Sequence, residues 1–116
     1  MKYQFKNNIE RMDKNEILQA IKTTAKQIMP SGTRVILFGS QARGDACEDS
    51  DWDILILLNK EKLDNSDHDN YSYLLFELGW NINAQIHPML YTTKDWLKRK
   101  FSILYKNVEQ EGIELC

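Results

Sequence analysis

At 116 residues the chain has the length of one domain, and residues 1–116 are read as a single unit around one core. Hydrophobic residues make up 42% and charged residues 28%, with a net charge of -2, which argues against a disordered or collagen-like chain and gives no basic excess for broad nucleic-acid binding. No apolar run approaches the roughly 18 residues of a membrane span, and the polar start Met1 to Lys6 lacks the apolar core of a signal peptide, so a cytoplasmic location is expected.

Asp13 is suited to cap a helix over residues 13–28, in which Ile17, Leu18, Ile21, Ala25 and Ile28 recur at helical spacing. Pro30, Ser31 and Gly32 end it, and Arg34 to Phe38 then reads as a short buried strand of branched and aromatic residues. Residues 40–44 can make a helical turn, and the polar segment Asp45 to Ser50 a surface loop. Trp52 to Leu58 is a second strand, almost wholly apolar after Asp53 and therefore expected at the centre of a sheet.

Beyond the polar stretch Asn59 to Asn70, Leu74, Leu75 and Leu78 predict a helix from Tyr71, with Gly79 as its C-cap. Ile82, Ala84 and Ile86 alternate with Asn83, Gln85 and His87, so residues 82–90 read as a third strand, and Pro88 places it at an edge or a bulge. Thr93 can cap a helix holding Trp96 and Leu97 that continues through Phe101, Leu104, Tyr105 and Val108 to about Glu111, where Gly112 ends it. This order of elements predicts an α+β fold, a small sheet with helices packed mainly on one face.

The chemistry centres on residues 39–53. Side chains alternate across a strand, so Asp51 and Asp53 point to one side with Trp52 turned away. Two carboxylates that close suit a hard cation such as magnesium, which binds through one or two carboxylates together with substrate phosphates. Gly39 lets the backbone approach closely, Ser40 and nearby amides can donate to phosphate oxygens, and Arg43 can add a charge-assisted fork. Read singly, these pieces equally describe a tight turn and two solvated acids at a strand entrance.

Taken together, Gly39-Ser40-Gln41-Ala42-Arg43-Gly44, a polar spacer, and Ser50-Asp51-Trp52-Asp53 before an apolar strand resemble the signature of the nucleotidyltransferase superfamily related to DNA polymerase beta. The resemblance is to its minimal, single-domain members, and with the lead-in helix and the later strand it spans most of the chain. It implies a mixed sheet with flanking helices and a two-metal transfer of a nucleoside monophosphate from a nucleoside triphosphate to a hydroxyl. Under that resemblance Gly39 and Ser40 hold triphosphate oxygens, while Asp51 and Asp53 are catalytic and ligate magnesium. Arg43 either contacts phosphate or braces the loop through Asp45 or Asp49. Small helical HEPN-domain proteins are the partners such members imply, in an antitoxin-like pairing.

The chain departs from that pattern at one place. Active members carry a third carboxylate on a later strand, and residues 82–90 contain neither Asp nor Glu. Gln85 is aligned with the missing acid and can offer an amide oxygen to a metal, but cannot neutralise charge or serve as a general base. His87 is either a base or a surface histidine. Glu77 and Asp95 read as a helix-face residue and a first-turn acid. Two functions of different class follow: a transferase, or a nucleotide- and metal-binding regulatory partner.

Cys47 and Cys116 read as free thiols, since neither belongs to a Cys-x-x-Cys pair. Lys94, Lys98, Arg99, Lys100 and Lys106 form either a solvated helix face or a phosphate patch. Trp80, Trp96 and Tyr105 serve either core or interface. The small size leaves little surface for an acceptor platform, so a second chain, including a second copy, can supply part of the site.

Overall fold

Asp13 starts the first helix, α1 (Lys14–Ile28), through a reciprocal capping box: its side chain accepts from the Glu16 N–H at 2.8 Å, and Glu16 accepts from the Asp13 N–H at 2.9 Å. The computed structural model describes residues 12–116, so the start Met1 to Lys6 lies outside the described residues. After α1 come β1 (Arg34–Phe38), the single turn α2 (Ser40–Arg43) and β2 (Trp52–Leu58). Then follow α3 (Asn65–Asp67), a π-helical stretch His68–Ser72, α4 (Tyr73–Ile82), β3 (Ile86–Thr92), α5 (Thr93–Leu97), α6 (Ile103–Glu111) and β4 (Ile113–Glu114). No helix among the described residues is long and apolar enough to cross a membrane.

The four strands lie in the order β3-β2-β1-β4. β1 is antiparallel to both β2 and β4, whereas β2 and β3 run parallel, so the sheet is mixed and the fold is α+β. Alternation divides the apolar residues of the strands between two faces. Trp52, Ile54, Ile56, Val35 and Leu37 pack with Ile21 and Ala25 of α1 and Leu75 of α4. Leu55, Leu57, Ile36 and Phe38 pack with Trp96 of α5 and Val108 of α6. The two longest helices thus share one face and the shorter α5 and α6 cover the other. β2, interior in the sheet, is buried along almost its whole length, as its apolar run predicts.

Three boundaries differ from the sequence expectations. Gly79 lies inside α4, where an added Cβ would meet the Ala84 carbonyl oxygen at 2.5 Å and the Ile86 nitrogen at 3.2 Å. The helix instead ends at Asn83 in the left-handed conformation (φ 58°, ψ 46°), and the Ala84 N–H donates back to the Gly79 carbonyl at 2.9 Å. Because the helix consumes Ile82, β3 begins only at Ile86; Pro88 then sits on an edge strand, as its missing N–H requires.

The expected continuous helix from Thr93 is two helices. Thr92, not Thr93, caps α5 by accepting from the Asp95 N–H at 3.0 Å, and Ser102 starts α6 by accepting from the Tyr105 N–H at 3.1 Å. Gly112 ends α6 where a Cβ would press on the Val108 carbonyl and lie 2.8 Å from Ile36. The two-residue β4 is too short to leave a periodic signal. Trp96 is buried, with Tyr105 stacked on it at 5.1 Å, while Trp80 is 76% exposed. Cys47 and Cys116 are free thiols.

Candidate functional site

Phe38 pairs with Asp53 across the antiparallel ladder of β1 and β2, and Asp53 pairs with His87 across the parallel ladder of β2 and β3. The start of β2 therefore lies between the end of β1, where Gly39 turns the chain, and the start of β3. Gly39 has φ 80° and ψ -160°, a region essentially restricted to glycine. A Cβ at this position would overlap the Asp53 Oδ2 and stand 3.3 Å from its Cγ. The turn and the second carboxylate are packed directly against each other, which explains why this sequence carries glycine there.

Asp51, Asp53 and His87 each offer a ligand atom, and these atoms all lie within 4.8 Å of one another. His87 Nδ1 is 3.6 Å from Asp53 Oδ1. The Asp53 side chain is 28% exposed and that of His87 67%. Burial pushes the Asp53 carboxyl above its ordinary value; His87 opposes this, the like charge of Asp51 adds to it, and Arg43 opposes it more weakly.

Gln85 lies just outside the strand. It precedes β3, its backbone carbonyl accepts the Trp52 N–H at 2.7 Å, and the residue beside Asp53 is His87. The extra turn of α4 moves the strand start past Gln85. Glu77 is exposed on α4 and Asp95 lies in the first turn of α5; neither joins the triad.

Ser40 begins α2, directly after the Gly39 turn. Arg43 braces the loop: its Nε pairs with Asp45 Oδ2 at 3.1 Å and its Nη1 with Glu111 Oε2 at 3.2 Å. Glu111 Oε2 also accepts the Gly39 N–H at 2.9 Å. That amide is thereby engaged by the end of α6, and Gly39 contributes its backbone shape to the turn. Glu111 is a residue that sequence reasoning missed. It reaches the turn from 72 positions away, and no local pattern marks such a contact.

A cleft of ≈ 500 Å³ opens beside Asp51, lined among others by Phe76, Trp80, Asn83, Gln85 and His87. Its aromatic wall accounts for the exposed Trp80. Three residues of the basic cluster are engaged at the surface, Lys94 on Glu61 at 3.1 Å, Lys98 near Asp95 at 3.8 Å and Arg99 over the Tyr91 ring at 4.8 Å.

The triad fits a divalent cation. Ligands about 2.1 Å from a common centre stand no more than about 4.2 Å apart, so small side-chain rotations close a set that already lies within 4.8 Å. The two carboxylates also match the charge of one such ion.

Comparison with known proteins gives a consistent group. The family model described as nucleotidyltransferase domain matches residues 15–113. The protein named "Putative protein adenylyltransferase MJ0141", from Methanocaldococcus jannaschii, is 35% identical over 104 residues, covering 86% of this chain and 99% of its own length. Among solved structures, a toxin-antitoxin with AMP-PNP superposes with a TM-score of 0.58 at 22% identity, over 90% of this chain and 73% of the other. A mutant of the toxin-antitoxin MntA-HpeT gives a TM-score of 0.54 at 19% identity, over 90% and 73%. These structures share the fold.

Proposed function

We propose that this chain, which belongs to the nucleotidyltransferase domain family, transfers an adenylyl group from ATP to a protein hydroxyl, using a divalent cation held by Asp51 and Asp53. The observation that carries this is the direct packing of the Gly39 turn on the Asp53 carboxylate, which puts a phosphate-type turn and a cation-type donor set at one point. Ser40 and the backbone of α2 are the groups for the triphosphate, and Arg43 holds the loop that carries them. Magnesium is the default ion for two carboxylates and phosphate oxygens. When bound, the cation neutralises charge on the phosphates and on the departing pyrophosphate.

In the reaction the acceptor oxygen bonds to the α-phosphorus, the bond from that phosphorus to the bridging oxygen breaks, and pyrophosphate leaves with the electron pair. The hydroxyl proton passes to solvent. Asp53, held in place by the turn, and Asp51 at the strand entrance fix where the phosphates can sit, and orientation supplies much of the rate. One domain spanning residues 1–116, acting in the cytoplasm, is part of the proposal. The adenylyl donor and protein acceptor are supported by the M. jannaschii relative, whose name gives protein adenylyltransferase.

Regulation of a partner by nucleotide binding alone is the other function supported, because no third carboxylate joins Asp51 and Asp53 among the described residues. The toxin-antitoxin neighbours favour a partner in either case, and a HEPN-domain protein is the proposed class. Incubation with α-labelled ATP, a divalent cation and a candidate partner separates the two. Label on the partner, lost in Asp51→Asn and Asp53→Asn, is expected; cation-dependent ATP binding without label on any partner would select the regulatory function.

A further inference from the structure

Register in the parallel ladder places His87, a nitrogen donor, at the position facing Asp53, and this changes the chemistry of the cation site. We infer that His87 is the third protein ligand, so that the site holds one first-row transition dication in preference to magnesium. This rests on the cation site proposed above and specifies its occupant.

Three observations support it. The His87 ligand atom lies in the same 4.8 Å cluster as those of Asp51 and Asp53, with Nδ1 turned toward the Asp53 carboxylate. The ring is 67% exposed, so no packing opposes the small rotation that brings it onto an ion shared with Asp53. Nothing else in the cluster supplies a third charge: the protein donors are two anionic oxygens and one neutral nitrogen when a metal is bound.

The two ion classes respond differently to that set. Magnesium is a hard cation that demands oxygen ligands and dehydrates reluctantly, so an imidazole adds little to its binding. Transition dications accept imidazole nitrogen as well as carboxylate oxygen. A protein charge of two also balances a single dication, whereas a third carboxylate would attract a second. The cleft beside Asp51 opens next to these donors, and a bound cation would be open there to phosphate oxygens.

Manganese is the probe, because pulsed electron paramagnetic resonance detects a directly bound nitrogen as a coupling to the electron spin. The full chain without nucleotide is titrated with Mn2+ and examined for that coupling, and Mn2+ and Mg2+ affinities are compared by calorimetry for wild type, His87→Ala and His87→Asp. Nitrogen coupling in the wild type is expected, absent from both variants. His87→Ala should weaken Mn2+ about tenfold or more while leaving Mg2+ nearly unchanged, and His87→Asp should narrow the preference by strengthening Mg2+.

Binding of Mn2+ that depends on Asp51 and Asp53 but shows no nitrogen coupling would overturn the assignment of His87 and leave the cation site standing. Failure of the wild type to bind either ion, with or without ATP, would overturn both. The wild-type spectrum decides the point even if a variant folds poorly.

Discussion

Replacing Gly39 with alanine tests the contact on which the site is built. At φ 80° and ψ -160° an alanine must either keep a backbone region that costs about 1–3 kcal/mol or rearrange the turn. Its Cβ would also overlap the Asp53 carboxylate, and overpacking of this kind costs about 1–3 kcal/mol. Midpoint values sum to about 4 kcal/mol, a large share of the stability of a small protein. The Asp53 Cβ is 3.5 Å away, an ordinary contact, so Asp53→Ala removes the overlap but not the backbone term. Urea melts of wild type, Gly39→Ala, Asp53→Ala and the double variant therefore form a cycle with an expected coupling of about 2 kcal/mol. Gly39→Ala costing less than about 1 kcal/mol would refute the backbone reasoning, and zero coupling would refute the contact with Asp53.

Burial raises the folded-state pKa of Asp53, so the folded chain binds that proton more tightly than the unfolded one, and ionisation costs stability as pH rises through the folded pKa. Asp53→Asn should therefore melt above wild type at pH 7 without metal, the gain shrinking as pH falls through the folded pKa and vanishing below the unfolded value of about 4; a lower melting temperature at pH 7 would show that the carboxylate stabilises the fold. Glu111→Ala leaves the Gly39 N–H without its acceptor at a cost of about 1–3 kcal/mol, whereas Glu111→Gln keeps an acceptor and should lose less than half of that. Equal losses in the two, measured by the same melts, would mean that the hydrogen bond to Gly39 contributes nothing.

Much of this arrangement is legible in the residues themselves. The β1 and β2 spans follow from branched apolar runs bounded by turn residues, and the pairing of Asp51 with Asp53 on one side follows from strand alternation. The start of the third strand is misplaced because Ile82, Ala84 and Ile86 satisfy the strand period while Leu75, Leu78 and Ile82 satisfy the helix period just as well. Only the left-handed Asn83 resolves which pattern wins, and asparagine tolerates that conformation without announcing it. Glu111 is silent for another reason: its contacts with Gly39 and Arg43 are made across the fold, and a glutamate near a helix end has no signature of such a role.

The parallel pairing of β2 with β3 also bears on when the site comes into existence. The turn and both aspartates are synthesised early and lie on neighbouring antiparallel strands, but His87 reaches Asp53 only after the crossover through α4 has closed, a non-local step of the slow kind. Glu111, which fastens the Gly39 amide, leaves the ribosome later still. A chain interrupted before Glu111 would carry Gly39, both aspartates and His87 without the carboxylate that fastens the turn, so a prematurely terminated product would have the motif and lack the finished site.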